Sequence, residues 1–271
     1  MRIIVTGGNS GVGKATATAM AAAGHHVMIA CRNLAKARRA ATSMPASVEV
    51  RELDLADLSS VRTFAETVDS VDVLVNNAGV LGLPLTRTAD DFEAHIGTNH
   101  LGHFALTCLL GDRIRDRIIS VASTNYSMAN IHFDDLNWRE RRYQPWAAYG
   151  ESKLANLLFV RELVARGRTA YASDPGMTDT SITQHGSGLL QWAGRVVSPH
   201  IAQSPSDGAR STIEAITTTL PSGTYLAPRG PFHQWGKPKP TTLMSKARDT
   251  CAARRLWDLS EELTDCRWQE D

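Results

Sequence analysis

The sequence predicts an α/β fold: a doubly wound parallel sheet of about seven strands, helices on both faces, and a C-terminal helical and loop extension on the substrate side. Two observations carry this. Over the first 170 residues short β-branched runs alternate with longer stretches of helical period. The strand runs, such as RIIVT and VDVLVNN, are almost wholly apolar, as strands buried on both faces are. No linker or repeat interrupts the chain, so residues 1–271 read as one domain.

The elements follow in order. RIIVT (Arg2 to Thr6) reads as a strand, and Gly11 to Ala23 as a helix stopped by Gly24. HVMIA (His26 to Ala30) is a strand and Leu34 to Ser43 a helix. Val48 to Leu53 is a third strand, Leu58 to Val68 a helix, and Val71 to Asn77 a fourth strand. A long helix is expected from Asp90 to Leu110. After the short link GDRIRDR come a strand ending RIISVAS (Arg117 to Ser123), an amphipathic helix from Ala147 to Arg166, and a strand from Arg168 to Ser173. Beyond Pro175 the pattern loosens. Residues 178–206 read as a substrate lid, with a surface helix pair as the alternative, Ser206 to Leu220 as a helix and Gly223 to Pro228 as the last strand. PRGPFHQWGKPKP reads as loop, and a final helix runs from about Ser245 to Leu263.

Composition narrows the function classes. The 271 residues carry 29 Lys and Arg against 28 Asp and Glu, a formal net charge of +1. That balance offers no electrostatic grip on nucleic acid or an anionic membrane. The four cysteines, Cys31, Cys108, Cys251 and Cys266, show no metal-ligand spacing. They read as reduced thiols of a cytoplasmic protein. The opening MRIIVTGG enters a strand at once, and no apolar run approaches the ~20 residues of a membrane span. His95, His100 and His103 share one helix without a carboxylate or cysteine at ligand spacing, so no metal site is expected. The RERR at Arg139 to Arg142 reads as a solvated turn. Trp138 and Trp146 read as packing residues, with a pocket wall as the alternative.

The first strand empties into TGGNSGVGKAT. Gly7, Gly11 and Gly13, with Asn9, Ser10 and Val12 between them, form a glycine turn directly between strand and helix. Such a turn brings backbone close to a pyrophosphate and aims a helix N-terminus at it. At the end of the second strand Cys31, Arg32 and Asn33 stand where a carboxylate would mark NAD(H). A guanidinium there, with Lys36 one turn later, suits a 2′-phosphate and favours NADP(H). Asp54, followed by Leu55, could accept from an adenine amino group or cap the next helix. Asn77, Ala78 and Gly79 end the fourth strand, and Gly79 has no Cβ to obstruct a ligand.

Ser123 ends the fifth strand, Tyr149 and Lys153 lie on the helix after it and Asn99 on the long helix before it, so all four can converge at the carboxyl ends of the strands, where open α/β sheets bind ligands. Tyr149 and Lys153, four apart, share one helix face. A free phenol titrates near pH 10. A neighbouring ammonium and an oxidised nicotinamide would each lower that value, making Tyr149 an acid/base at working pH.

With these motifs in family order, the chain resembles the short-chain dehydrogenase/reductase (SDR) family over nearly its whole length. It is most similar to the retinol dehydrogenase and WW-domain oxidoreductase branch, in ACRNLAKA, NHLGHFALT, IHFDDLN, AYGESKLANLLF and LWDLSEELT. The resemblance implies a Rossmann-type sheet and a reaction that interconverts an alcohol and a carbonyl on an apolar or amphipathic molecule with NADP(H). It implies that Tyr149 exchanges the proton and Ser123 holds the substrate oxygen. Lys153 would tune Tyr149 and bind ribose, and Asn99 would hold a relay water through its backbone. DPGMTDT, with Pro175, Gly176, Met177, Thr178 and Thr180, resembles the stretch that clasps the nicotinamide carboxamide. Asp174 departs from the branch, where His is frequent. Pairing of two or four copies through the helices Asp90 to Leu110 and Ala147 to Arg166 is a further expectation by resemblance. The alternatives left open are an NADP(H)-binding regulator without turnover and a double-bond reductase.

Overall fold

The structure is a computed structural model, and it describes residues 1–178 and 203–268. The elements are β1 (Arg2–Thr6), α1 (Gly11–Ala22), β2 (His26–Cys31), α2 (Leu34–Ala41), β3 (Val48–Glu52), α3 (Leu58–Glu66), β4 (Val71–Asn76), α4 (residues 94–110), β5 (Ile114–Val121), α5 (Pro145–Ala165), β6 (Ala170–Ser173), α6 (Pro205–Thr217), β7 (Tyr225–Pro228), β8 (Pro238–Pro240) and α7 (Thr250–Thr264). The strands form one sheet in the order β3-β2-β1-β4-β5-β6-β7-β8. All neighbours are parallel except β8, which runs antiparallel to β7. The order reverses between β1 and β4, the switch point beside which such sheets bind ligands.

Side-chain alternation assigns the two faces. Ile3, Val5, Val73, Val75 and Ile119 pack with α1, α2 and α6, while Ile4, Leu74 and Ile118 pack with α3, α4, α5 and α7. This double burial is why the strand sequences are apolar on both sides.

Several elements differ from the sequence expectation. The sheet has eight strands, because Pro238–Pro240 within the stretch read as loop pairs with β7. Proline hides a strand from a pattern reader, yet an edge strand tolerates it because its outward side needs no N–H donor. β5 starts at Ile114, inside the GDRIRDR link, and ends at Val121. Its charged Arg115 and Asp116 are exposed at the sheet margin. The long helix begins after Glu93, whose carboxylate accepts from the Ile96 N–H at 2.9 Å. Asp90 accepts from the Leu58 N–H at the start of α3 instead. Within α4, residues Gly97–Leu101 form a π-helical turn, a widening that often marks a functional position.

α5 is the largest correction. It is buried nearly all round, with Glu151, Ser152, Lys153 and Asn156 among its buried residues, rather than amphipathic. A helix covered on every side carries no polar stripe. The cover on its outer side is α7. Trp257, 2% exposed, stacks on Phe159 with centroids 5.7 Å apart and meets the edge of Phe104 at 5.0 Å. His100 of α4 joins Ser260 of α7 through Nε2 at 2.9 Å. α7 thus lies over α4 and α5, the helices expected to pair two copies.

Removing this indole should cost more than any surface change. Trp257→Ala is expected to lower unfolding free energy by about 3–5 kcal/mol, read from the midpoint of chemical denaturation. A loss under ~1 kcal/mol would mean that α7 is not integral to the core.

Candidate active site

The site is assembled at the carboxyl edge of β1, β4, β5 and β6. α5 is held against that edge by polar side chains. The Val121 carbonyl, last in β5, accepts from Lys153 Nζ at 2.9 Å and from Asn156 Nδ2 at 3.1 Å. These bonds fix the register of the helix, and Tyr149 one turn earlier faces Ser123. Ser123 lies just beyond β5 and opens the turn Thr124–Met128, where its Oγ accepts from the Asn125 N–H at 3.4 Å. The Ser123 and Tyr149 hydroxyls are hydrogen-bonded, and the Lys153 ammonium stands 5.6 Å from the phenol ring centre.

Asn99 sits in the π-helical turn. Its side-chain carbonyl accepts from the Val80 N–H at 2.8 Å, and its amide donates to the Val80 carbonyl at 3.1 Å and to Ser152 Oγ at 2.9 Å. Asn99 and Lys153 meet at Gly79, where an added Cβ would lie 3.2 Å from Asn99 Oδ1 and 3.7 Å from Lys153 Nζ.

Electrostatics depart from the sequence argument. That argument had Lys153 depress the Tyr149 pKa, but in the protein alone burial pushes it above its ordinary value. The Ser123 hydrogen bond opposes the rise, and the Asp174 charge adds to it. Burial lowers the Lys153 ammonium to about 8, against the pull of Asp174. Desolvation is the largest influence on both groups.

The turn after β1 fits a dinucleotide. Gly7 has φ +66°, and an added Cβ would sit 3.0 Å from the Ala78 Cα. A Cβ on Gly13 would collide with the Asn77 amide and lie 2.7 Å from the Gly7 carbonyl oxygen. Ser10 is the N-cap of α1 but makes no side-chain cap bond, and no acidic residue occupies the first turn. The first N–H groups there, on Gly11, Val12 and Gly13, meet no competing side-chain acceptor from the cap, as a pyrophosphate site needs. Cys31 packs beneath the turn, against the backbone N–H groups of Gly8 and Asn9.

At the adenosine end, Arg32 is 71% exposed and stands 4.0 Å from Asp54. Asn33 is committed locally, its Oδ1 capping α2 by accepting from the Lys36 N–H at 2.8 Å. Asp54 is not the cap of the next helix. Asp57 caps α3, whereas Asp54 accepts from the Ala56 N–H, next to buried Leu55. Asn77 donates through Nδ2 to the Thr6 carbonyl at 2.7 Å, tying β4 to β1.

The loop after β6 is held by residues that sequence reasoning missed. Gln203 donates through Nε2 to the carbonyls of Pro175, at 3.1 Å, and Gln234, at 2.8 Å. The Met177 N–H donates to the Gln234 carbonyl, and Thr178 bonds back to Pro175. Thr180 and most of the expected lid, residues 179–202, lie outside the described residues.

Thr6 and His103 were missed too. Thr6 Oγ1 accepts from the N–H groups of Asn77 and Ala78, both at 2.9 Å, and lies 2.8 Å from His103 Nε2. His103 Nδ1 faces the Asn99 carbonyl at 3.0 Å, so Nδ1 carries the proton and Nε2 accepts from Thr6. Burial lowers the His103 pKa to about 4, keeping the ring neutral. The histidine spacing, i and i+4 with Asn99, was the available signal.

Of the other candidates, His95 bonds through Nδ1 to buried Glu93 at 2.7 Å, and its ring meets that of Tyr149 edge-on at 6.3 Å. Trp138 is buried beneath Arg141, whose guanidinium lies 3.9 Å from the ring centre, while Trp146 is 58% exposed. In the RERR tract, Arg139 pairs with Asp91 and Arg141 with Asp135 and Glu151.

Comparisons with known proteins identify the family. The family model described as short chain dehydrogenase matches residues 1–187. Human retinol dehydrogenase 12 is 39% identical, with 98% of this chain and 87% of the relative covered. Human retinol dehydrogenase 13 is also 39% identical, over 96% of this chain and 83% of the relative. A crystal structure of an uncharacterized protein from Mycobacterium paratuberculosis superposes with TM-score 0.85 at 42% identity, covering 99% of this chain and 94% of that one. A 3-ketoacyl-(acyl-carrier-protein) reductase from Brucella melitensis, solved with NADH, shares the fold at TM-score 0.62 and 21% identity, over 83% of this chain and 94% of that one. The chain therefore belongs to the short-chain dehydrogenase/reductase family of nicotinamide-dependent oxidoreductases.

Proposed function

We propose that this chain is an NADP(H)-dependent oxidoreductase that interconverts an alcohol and a carbonyl on an apolar or amphipathic small molecule, with Tyr149 as the acid/base. The observation that carries this reading is the grouping of Ser123, Tyr149 and Lys153 just beyond the end of β5, with Lys153 also reaching toward Gly79 after β4. Retinol dehydrogenases among the relatives support an alcohol as the reacting group. Leu85, Met128, Trp146 and Met177 are exposed on segments that follow β4, β5 and β6 at this edge, which suits an apolar substrate. The reading takes the chain as one domain working in the cytoplasm. Among the described residues no helix is long and apolar enough to cross a membrane.

Bound at the glycine turn, the nicotinamide dinucleotide supplies or accepts the hydride. The chain's own residues handle the oxygen. Ser123 Oγ donates a hydrogen bond to the substrate oxygen and fixes it beside Tyr149. Tyr149 Oη gives its proton to that oxygen in reduction and recovers it in oxidation. Lys153 Nζ, with one donor spent on Val121, keeps two for a ribose hydroxyl and a relay. The α1 N-terminus and Arg32 would hold the phosphates.

Purified protein should consume NADPH with members of an aldehyde and ketone panel. Tyr149→Phe should cut that rate by roughly 100- to 10,000-fold. A variant with undiminished rate would sink the assignment. Arg32→Ala should raise the KM for NADPH by about ten- to a hundredfold, a charge-assisted contact being worth about 1.5–3 kcal/mol, and leave that for NADH unchanged. Equal effects on both would remove Arg32 from the 2′-phosphate.

A further inference from the structure

Among the buried carboxylates that the mechanism above leaves unused, Asp174 lies nearest the Ser123 end of β5 in the sheet. Asp174 is 1% exposed and immediately follows β6. The pairing of Val121 with Ser173, and the bond from the Ala122 N–H to the Ser173 carbonyl, set Asp174 alongside Ala122, one residue before Ser123. Lys153 is anchored on that same Val121. The carboxylate is held by a built cluster of donors. Tyr225 Oη of β7 donates to Oδ2 at 2.6 Å, the Gly176 N–H to Oδ1 at 2.8 Å, and the Thr124 N–H also donates. Tyr225 is itself 2% exposed and set edge-on to Tyr126 at 6.2 Å. The three donors favour the ionised form against the cost of burial, and a buried anion needs a cation within reach. Lys153 supplies that charge through space.

We propose that Asp174 is a positioning residue of the catalytic pair: its carboxylate compensates the Lys153 ammonium, holds Tyr149 in the protonated, proton-donating form, and so sets the pH range of each direction of the reaction. The inference rests on the reading of Tyr149 as acid/base. Its logic is electrostatic. An ammonium alone would favour the phenolate, whereas a carboxylate beside the pair cancels that field and favours the phenol. Reduction needs the phenol, so it would run through neutral pH. Oxidation needs the phenolate and would gain only as pH rises.

Other groups face Tyr149 from each packed element, and none replaces this carboxylate. Ser123, after β5, is neutral. His95 of α4 is edge-on to the ring, with its Nδ1 turned to Glu93 and Tyr143 beyond it. His103 of α4 is neutral and bonded to Thr6 and Asn99. Tyr126 and Tyr225 are phenols, and burial with the Asp174 charge raises the Tyr225 pKa further. Asp174 is the anion whose charge acts on both Tyr149 and Lys153. Burial raises its own pKa, against the three donors and Lys153.

The test is a pH titration of tyrosinate absorbance in the full chain. Each protein is compared with its own Tyr149→Phe counterpart, so that the difference isolates Tyr149. In Asp174→Asn, which keeps the shape and loses the charge, the Tyr149 step should move to lower pH by about one unit or more. The rising limb of the pH profile for alcohol oxidation should move with it. Asp174→Ser provides a second, smaller neutral side chain with the same expected direction. A Tyr149 step that stays in place in the folded variants overturns the proposal. So does failure of both variants to fold, which would make Asp174 a structural tether. The titration needs no turnover. A chain that reduces no carbonyl would defeat the proposed function while leaving this test decisive.

Discussion

The Val121 carbonyl is the joint on which the site depends. A strand-end carbonyl has no partner in its own sheet, and here two side chains of α5 satisfy it. That demand decides how the helix is rotated and how far along its axis it sits. Tyr149 then faces Ser123 because Lys153 and Asn156 have already taken their places. Lys153 consequently does three things at once: it satisfies a backbone acceptor, lends a charge, and keeps donors for a ligand. Burying it costs solvation, as the downward shift of its pKa records.

A second joint lies between β1 and β4. The Thr6 hydroxyl gathers two backbone N–H groups from Asn77 and Ala78 and passes its own proton toward His103, which turns to the Asn99 carbonyl. A single threonine thus connects the floor of the glycine turn to the π-helical turn that carries Asn99. Both joints are buried and made of residues distant in sequence, and such networks tolerate little rearrangement.

The sequence made legible whatever is local. The glycine turn shows itself because its residues are contiguous and only glycine meets their backbone and steric demands. The Tyr149–Lys153 pair shows itself because four residues make a helical turn. The near-unbroken apolar strands betray a sheet covered on both faces. What stayed hidden is what depends on distant partners. β8 is masked by Pro238 and Pro240, which only an edge position accommodates. The burial of α5 depends on α7, nearly a hundred residues later. Gln203 and Gln234 look like ordinary surface residues until the fold brings them to the loop after β6. Asp174 was visible as an odd residue, but its donor Tyr225 lies on another strand. The sign of the Tyr149 shift was missed for a different reason. Spacing reveals a neighbouring cation but not the extent of desolvation.

The position of α7 bears on biosynthesis. Phe104 and Phe159 reach their final surroundings only when Trp257 arrives over them. About 100 residues separate the end of α5 from the end of α7, and a ribosome adds roughly 5–20 residues per second. For some 5–20 s, therefore, the nascent polypeptide carries an aromatic surface with nothing yet made to shield it. Chaperone engagement during that interval, rather than any difficulty in forming the nucleotide-binding half, is where the yield of finished enzyme would be decided.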